Sequence, residues 1–131
     1  MKRSVLKDGK MLRECIEQYT YYRSGNNQMV VYTCLRDSRV FVPCRAGRVD
    51  DNAFLNENGK RLIPVFSNEA QLGDKAGKLA VEEKEFLEVV RAAQFAHADG
   101  IIVDPWTGPF VLEAEDYETV NRMITRITSE N

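Results

Sequence analysis

Three cysteines and a single histidine are the first side chains of this sequence to consider as a nucleophile, a general base or a soft metal ligand. Zinc sites and redox dithiols need closely spaced cysteine pairs, or histidine and cysteine a few residues apart. Cys15, Cys34 and Cys44 are instead separated by 19 and 10 residues. Because free cysteine behaves as a small buried hydrophobe, this spacing favours structural roles and predicts no metal site.

Cys44 and His97 are the pair on which an enzyme would depend. Cys44 precedes Arg45, which makes it the cysteine nearest to the electropositive setting that a thiolate nucleophile needs. His97 is predicted at the C-terminal end of a helix, where the dipole favours a charged imidazole in a capping or surface role. No recognisable nucleophile motif accompanies the histidine, and this favours a non-enzymatic function. A cysteine-dependent enzyme is the alternative.

The glycine and arginine patterns argue against nucleotides and nucleic acids as ligands. A phosphate-binding loop places close glycines after a strand and before a helix, whereas residues 73–77, the closest match, link a helix to a strand. The first half is rich in arginine and includes Tyr21 and Tyr22. The sequence pI of about 5.5 is nevertheless far from the basic balance of nucleic-acid-binding domains. We therefore expect no cofactor and no nucleic-acid partner.

The turn from Asp104 to Phe110 is the predicted binding surface. Two prolines stiffen it, and it follows the C-terminal end of the most apolar strand, the end at which α/β sheets place ligands. Trp106 is either exposed there as an interface residue or folded back as a lid on the core, and the sequence leaves both open. Cations at neighbouring strand ends would add contacts if those strands lie beside the turn. The candidate binding residues are Arg45, Lys60, Arg61, Asp104, Trp106 and Phe110.

The elements that must position these residues follow from hydrophobic periodicity. Helices are predicted over residues 10–23, 28–36, 67–72, 82–96 and 113–128, and strands over residues 39–45, 61–66, 78–81, 101–103 and 110–112. Residues 28–36 also suit a strand, and residues 46–59 are predicted to form a long hairpin connection. Pro43 suggests an edge position or a strand end, because proline cannot donate to a ladder. The order predicts an α+β fold with a single mixed sheet of about four to five strands and helices packed on it.

Composition and charge set the class of protein. With 131 residues and 44% hydrophobic side chains, the chain is long enough for one domain with its own core. Its apolar runs are far shorter than a membrane-spanning helix, and none follows the basic N-terminus, so we expect a cytoplasmic protein without a membrane partner. Residues 1–48 carry a net charge of +6 and residues 49–131 a net charge of −8. Such a split could orient a partner or draw the two halves together.

Four ordered segments carry a family resemblance: VFVP at 40–43, LIPVFSNEA at 62–70, ADGIIVDP at 98–105 and FVL at 110–112. Over about residues 10–128 the chain resembles the N-terminal domain of the enhanced serine sensitivity protein B (SseB) family. The resemblance implies a bacterial, cytoplasmic α/β domain with no established catalytic residues. Many relatives look longer, with a second C-terminal domain, whereas this sequence ends at Asn131. We therefore expect a single domain over residues 1–131, without functions that need the second one.

The leading hypothesis from the sequence is a non-enzymatic binding or regulatory module. It would engage a protein partner or a small anionic ligand through the turn at residues 104–110. One alternative is the cysteine-dependent enzyme that uses Cys44 and His97. Another is a structural domain that self-associates through β-edges such as the strand that contains Pro43.

Overall fold

The computed structural model describes residues 2–3, 9–78, 80–123 and 128–129. Its helices are α1 (Lys10–Tyr21), α2 (Gly25–Arg36), α3 (Phe86–Phe95) and α4 (Tyr117–Arg122). Its strands are β1 (Lys2–Arg3), β2 (Arg39–Arg45), β3 (Arg48–Val49), β4 (Leu55–Glu57), β5 (Lys60–Val65), β6 (Val81–Glu85), β7 (Gly100–Val103), β8 (Phe110–Glu113) and β9 (Thr128–Ser129). Shorter 3₁₀ segments occupy Asp51–Ala53, Glu69–Lys78 and Ala114–Asp116.

Four strands form a mixed sheet in the order β4, β5, β7, β8. β5 and β7 are parallel, with Leu62 beside Gly100 and Val65 beside Val103, while the two outer pairs are antiparallel. All four residues of β7 are buried, as its uninterrupted apolar run predicts for a strand covered on both faces. With the helices packed on it, this sheet confirms the predicted α+β class.

Three further strands form a second sheet in the order β3, β2, β6. A backbone bridge between Phe41 and Phe66 connects β2 to the chain just after β5. Of the two positions predicted for Pro43, the sheet edge is wrong, because β2 is paired on both sides and the Pro43 carbonyl accepts a hydrogen bond from the N–H of Asp50 at 2.9 Å. Pro43 lies instead near the C-terminal end of β2, where the pairing with β6 stops. This strand therefore offers no free edge for self-association.

The acidic segment at residues 82–85 is strand and not the predicted first turn of a helix. It pairs antiparallel with β2, so that Arg39 lies opposite Glu85, and Arg39 Nε is 3.4 Å from Glu83 Oε1. Cross-strand pairing with a basic strand outweighs the preference of acidic residues for a helix N-terminus. Helix α3 begins at Phe86, where Glu85 and Glu88 form a reciprocal capping box.

Two tight hairpins replace the predicted long connection at residues 46–59. Ala46 and Gly47 have φ of 55° and 79°, and Asn58 and Gly59 have φ of 52° and 82°. Paired positive φ values are the geometry of the two-residue turn that matches strand twist, and Asn-Gly is its strongest sequence signal. The short strands β3 and β4 therefore fold back onto β2 and β5.

The other differences lie at element ends. Residues 25–36 form a helix, not a strand, and the hydroxyl of Ser24 caps it by accepting from the N–H of Asn27. The last helix is shorter than predicted, because residues 114–116 are 3₁₀ and Thr128 is in β9. Residues 124–127, predicted to continue that helix, and Leu79, predicted within a strand, lie outside the described residues. No helix in the described parts of the chain has the length and apolar character needed to span a bilayer.

The main core lies between the helices and the sheets. Its largest fully buried side chains come from α1, α2, α3 and strands β2, β5, β7 and β8: Leu12, Ile16, Val31, Leu35, Val40, Val42, Ile63, Phe86, Ile101 and Leu112. Phe66, Leu72 and Ile102 are buried as well but do not belong to that cluster. The sheet that ends in the candidate turn is thus a rigid base for it.

Candidate functional site

Asp104, the first residue of the turn from 104 to 110, is completely buried and fully hydrogen-bonded. Arg13 Nη1 of α1 donates to Asp104 Oδ2 at 3.0 Å. The N–H of Ser67 donates to Oδ1 at 2.8 Å, and the Ser67 hydroxyl donates to Oδ2 at 2.7 Å. Burying a carboxylate is costly unless it is paired in this way. Asp104, a predicted binding residue, therefore holds the turn in place and is not accessible to a ligand.

The rest of the turn is fixed through the same arginine. The Asp104 carbonyl accepts from the N–H groups of Thr107 and Gly108, and Arg13 Nη1 also donates to the Gly108 carbonyl at 2.8 Å. A Cβ added at Gly108 would meet the guanidinium of Arg13, so a larger residue there would require Arg13 to move. No local pattern in the sequence links Arg13 to the turn, because the two are 91 residues apart in the chain.

Trp106 combines both roles that the sequence left open. Its ring packs on Phe66 with centroids 5.1 Å apart, yet 38% of the residue remains exposed. The hydroxyl of the neighbouring Thr107 donates to the side-chain oxygen of Gln71. Phe110 is instead buried and lies edge-on to Tyr19 and Tyr32. The aromatic surface that the turn presents to solvent is therefore that of Trp106.

The three predicted cations do not lie beside this turn. Because β5 and β7 are parallel, the start of β5 lies next to Gly100, at the end of the sheet opposite the turn. Lys60 pairs there with Glu113 at 2.9 Å, and this hydrogen bond raises the pKa of Lys60. Arg61 lies over the ring of Phe54, 4.9 Å from its centroid. Arg45 belongs to a separate groove.

A groove of about 1160 Å³ lies between the β2–β3 hairpin and α3, and we call it the arginine groove. Its basic lining residues are Arg45, Arg48, Lys84 and Arg91, and its acidic ones are Asp50, Asp51 and Glu88. Its largest apolar lining residues are Phe54 and Phe95, and Phe95 is 89% exposed. Sequence reasoning missed this groove because its walls come from separate parts of the chain that meet only in the fold.

The cations of the groove are less engaged than its acids. Within the described residues, Arg45, Arg48 and Arg91 make no ion pair or side-chain hydrogen bond, whereas Asp50 accepts from the N–H of Asn52 and Glu88 accepts from the N–H of Glu85. Two of the three acids are thus used to cap local backbone. The groove consequently combines unpaired guanidinium groups with an exposed phenyl ring.

Cys44 does not have the properties of an activated nucleophile. It is buried, and burial raises the pKa of its thiol. His97 is exposed at the end of α3, with φ of 55°. Among the described residues, no group of three or more histidine, cysteine, aspartate or glutamate side chains is placed to hold a metal ion. Cys15 and Cys34, however, lie with their sulfur atoms 2.9 Å apart, a proximity that their spacing did not predict.

This chain resembles a known protein family over most of its length. The family model described as the SseB protein N-terminal domain matches residues 12–118. This span contains most of α1, all of α2 and α3, the first two residues of α4, and both larger sheets. No curated protein matches the chain.

Proposed function

We propose, from the premise that this chain belongs to the SseB N-terminal domain family, that it is a non-enzymatic binding module for an acidic segment of a partner protein. The occupied surface would be the arginine groove. The observation that carries the proposal is the set of unpaired guanidinium groups around the exposed ring of Phe95. The proposal assigns the module to the bacterial cytoplasm, because the resemblance to the family implies that location.

The size of the groove favours a peptide segment over a small anion. Sites for small molecules are clefts or cavities of about 300–1000 Å³ that bury most of the ligand surface. The arginine groove is larger, at about 1160 Å³, and many of its lining residues are exposed. An extended or helical segment can place several side chains along such a surface.

The chemistry of the groove selects the composition of that segment. Carboxylates match guanidinium groups in charge and in bidentate geometry, so Arg45, Arg48 and Arg91 would contact acidic side chains. Phe95 and Phe54 would contact an aromatic or aliphatic side chain of the same segment. Alternation of acidic and apolar residues in the partner would satisfy both requirements.

Selection from a random peptide library on the immobilised domain tests this composition. We expect the retained peptides to be acidic and to contain at least one aromatic or branched aliphatic residue. Enrichment of neutral or basic peptides would contradict the proposal. So would displacement of the selected peptides by free citrate at similar concentration, because that result would indicate a small anionic ligand.

The variant Arg91→Glu is expected to weaken binding of the selected peptides by about tenfold or more, since it replaces an attractive charge in the groove with a repulsive one. Fluorescence anisotropy of a labelled peptide measures the change. Arg122→Glu is the matched control, because Arg122 is an exposed arginine on α4 outside the groove. Equal weakening by both variants would mean that the peptide responds only to the total charge of the domain.

The turn at residues 104–110 is the second candidate surface, because Trp106 is partly exposed on a rigid base. If the peptide binds in the arginine groove, Trp106→Ala should change peptide affinity by less than about twofold. The same variant should lower the free energy of unfolding by about 1–2 kcal/mol, because it removes the contact with Phe66. Anisotropy and urea denaturation measure the two effects. If Trp106→Ala lost peptide binding while Arg91→Glu retained it, the peptide would bind at the turn and not in the arginine groove.

A further inference from the structure

Cys15 and Cys34 form a pair between the first two helices. Cys15 is on α1 and partly exposed, whereas Cys34 is on α2 and buried. Their sulfur atoms are 2.9 Å apart, within hydrogen-bonding distance of each other. A disulfide bond has a length of about 2.05 Å, so closing one here would shorten the separation by about 0.9 Å. Small side-chain rotations on two packed helices can provide such a movement.

The surroundings of the two thiols give them different roles. The hydrogen bond with Cys34 lowers the pKa of Cys15, against the opposing effects of burial and of Glu14. The same interaction, together with burial, raises the pKa of Cys34. The more exposed thiol is therefore also the one that ionises first, which is the arrangement of an attacking cysteine with a buried resolving cysteine beside it.

We propose that Cys15 and Cys34 are an oxidisable dithiol that hydrogen peroxide converts into a disulfide between α1 and α2. The Cys15 thiolate attacks one peroxide oxygen, the O–O bond breaks, and the hydroxide that leaves takes up the proton that Cys15 released, giving water and a sulfenic acid. The sulfur of Cys34 then attacks the Cys15 sulfur, the S–O bond breaks, and a second water leaves with the Cys34 proton. The two sulfurs lose two electrons in total, and the peroxide gains them.

Oxidation would fix α1 in place on α2. Arg13, which holds Asp104 and Gly108, is two residues from Cys15 on the same helix. The disulfide would close the loop from residue 15 to residue 34, which restricts the unfolded chain. We expect the thermal unfolding midpoint to rise by on the order of 10 °C on oxidation and to return after treatment with dithiothreitol. This inference is independent of what the arginine groove binds.

Peptide mapping of the intact protein tests the site directly. The protein is treated with hydrogen peroxide, its remaining thiols are alkylated, and it is digested with trypsin without reduction. We expect residues 14–23 and 24–36 to be recovered as one linked species, about 2 Da lighter than the sum of the two free peptides. Cys44 is an internal control, because it is buried and lies in a separate tryptic peptide, at residues 40–45.

Three outcomes of the peptide map would contradict the proposed disulfide. Recovery of Cys15 and Cys34 as alkylated thiols, oxidation of Cys15 to sulfinic acid without a link, or links that involve Cys44 would each overturn the proposal. In Cys34→Ala the reaction should stop at a sulfenic acid on Cys15 that dimedone traps, whereas Cys44→Ala should leave the link intact. If Cys34→Ala fails to fold, the map of the unsubstituted protein decides the question by itself.

Discussion

Replacing Asp104 with alanine is expected to lower the free energy of unfolding by about 3–5 kcal/mol, because it removes one partner from a buried ion pair. The guanidinium of Arg13 would lose its carboxylate, and the N–H and hydroxyl of Ser67 would lose their acceptors. The backbone adds to the loss, since Asp104 has φ of 51°, a left-handed conformation that aspartate and asparagine tolerate better than alanine. Urea denaturation followed by circular dichroism measures the change.

One further variant separates the loss of the ion pair from the backbone strain at residue 104, and a second serves as a surface control. Asp104→Asn retains the backbone preference and one acceptor oxygen, so its loss of stability should be smaller than that of Asp104→Ala. Asp51→Ala removes an exposed aspartate and should change stability by less than about 0.5 kcal/mol. If Asp104→Ala changed the free energy of unfolding as little as Asp51→Ala, the buried network around Asp104 would contribute nothing to the stability of the fold.

Phe66→Ala is expected to cost about 3–5 kcal/mol as well, through a cavity and not through lost charge pairing. The Phe66 side chain is fully buried, its backbone bridges to Phe41 of β2, and its ring supports Trp106. Loss of that support should also expose the tryptophan. A shift of the fluorescence of Trp106, the only tryptophan, to longer wavelength in the native state would accompany the lower unfolding free energy.

Phe95→Ala is the matched control for this cavity, because it removes the same ring from a site that is 89% exposed. Its stability should stay within about 0.5 kcal/mol of the unsubstituted protein. Comparable losses in Phe66→Ala and Phe95→Ala would mean that the exposed ring of the groove is held by the fold as firmly as the core. The peptide-binding proposal requires the opposite, a ring that is available to a partner.

Local sequence patterns predicted most helices and strands of this fold. The predictions failed mainly where segments far apart in the sequence pair with each other. The uninterrupted run in β7 and the apolar spacing in α1 each predicted the correct element. Residues 82–85 became a strand because β2 is there to pair with them, which no window of a few residues reveals. The Asn58-Gly59 hairpin was different, since its signal was local and the prediction of one long connection overlooked it.

The candidate site was only partly predictable for the same reason. The sequence correctly predicted a turn after β7, and the partial exposure of Trp106 lies between the two alternatives considered. The role of Asp104 could not be predicted, because its partner Arg13 comes from the other end of the chain. Arg45 was among the predicted cations, but its neighbours in the groove, such as Arg91, become neighbours only after β2 and α3 have packed.

The unequal charges of the two halves now have a partial structural explanation. Arg13 and Arg39, from the basic half, pair with Asp104 and Glu83, from the acidic half. The basic and acidic halves of the chain therefore attract each other across the folded domain in these two places. In the part of the chain that the structure describes, Arg45, Arg48 and Arg91 form no such ion pair, although Asp50, Asp51 and Glu88 line the same groove, and their guanidinium groups are what an acidic partner would contact.

The hydrogen bonds from Arg13 to Asp104 and Gly108 span 91 and 95 residues of sequence. A ribosome delivers the N-terminal end first, at about 5–20 residues per second, so α1 emerges several seconds before its acceptors exist. During that interval the guanidinium has only water and nearby side chains as partners. The attachment of the first helix to the turn is therefore a late event in biosynthesis, and a chain that stalls before residue 104 cannot complete it.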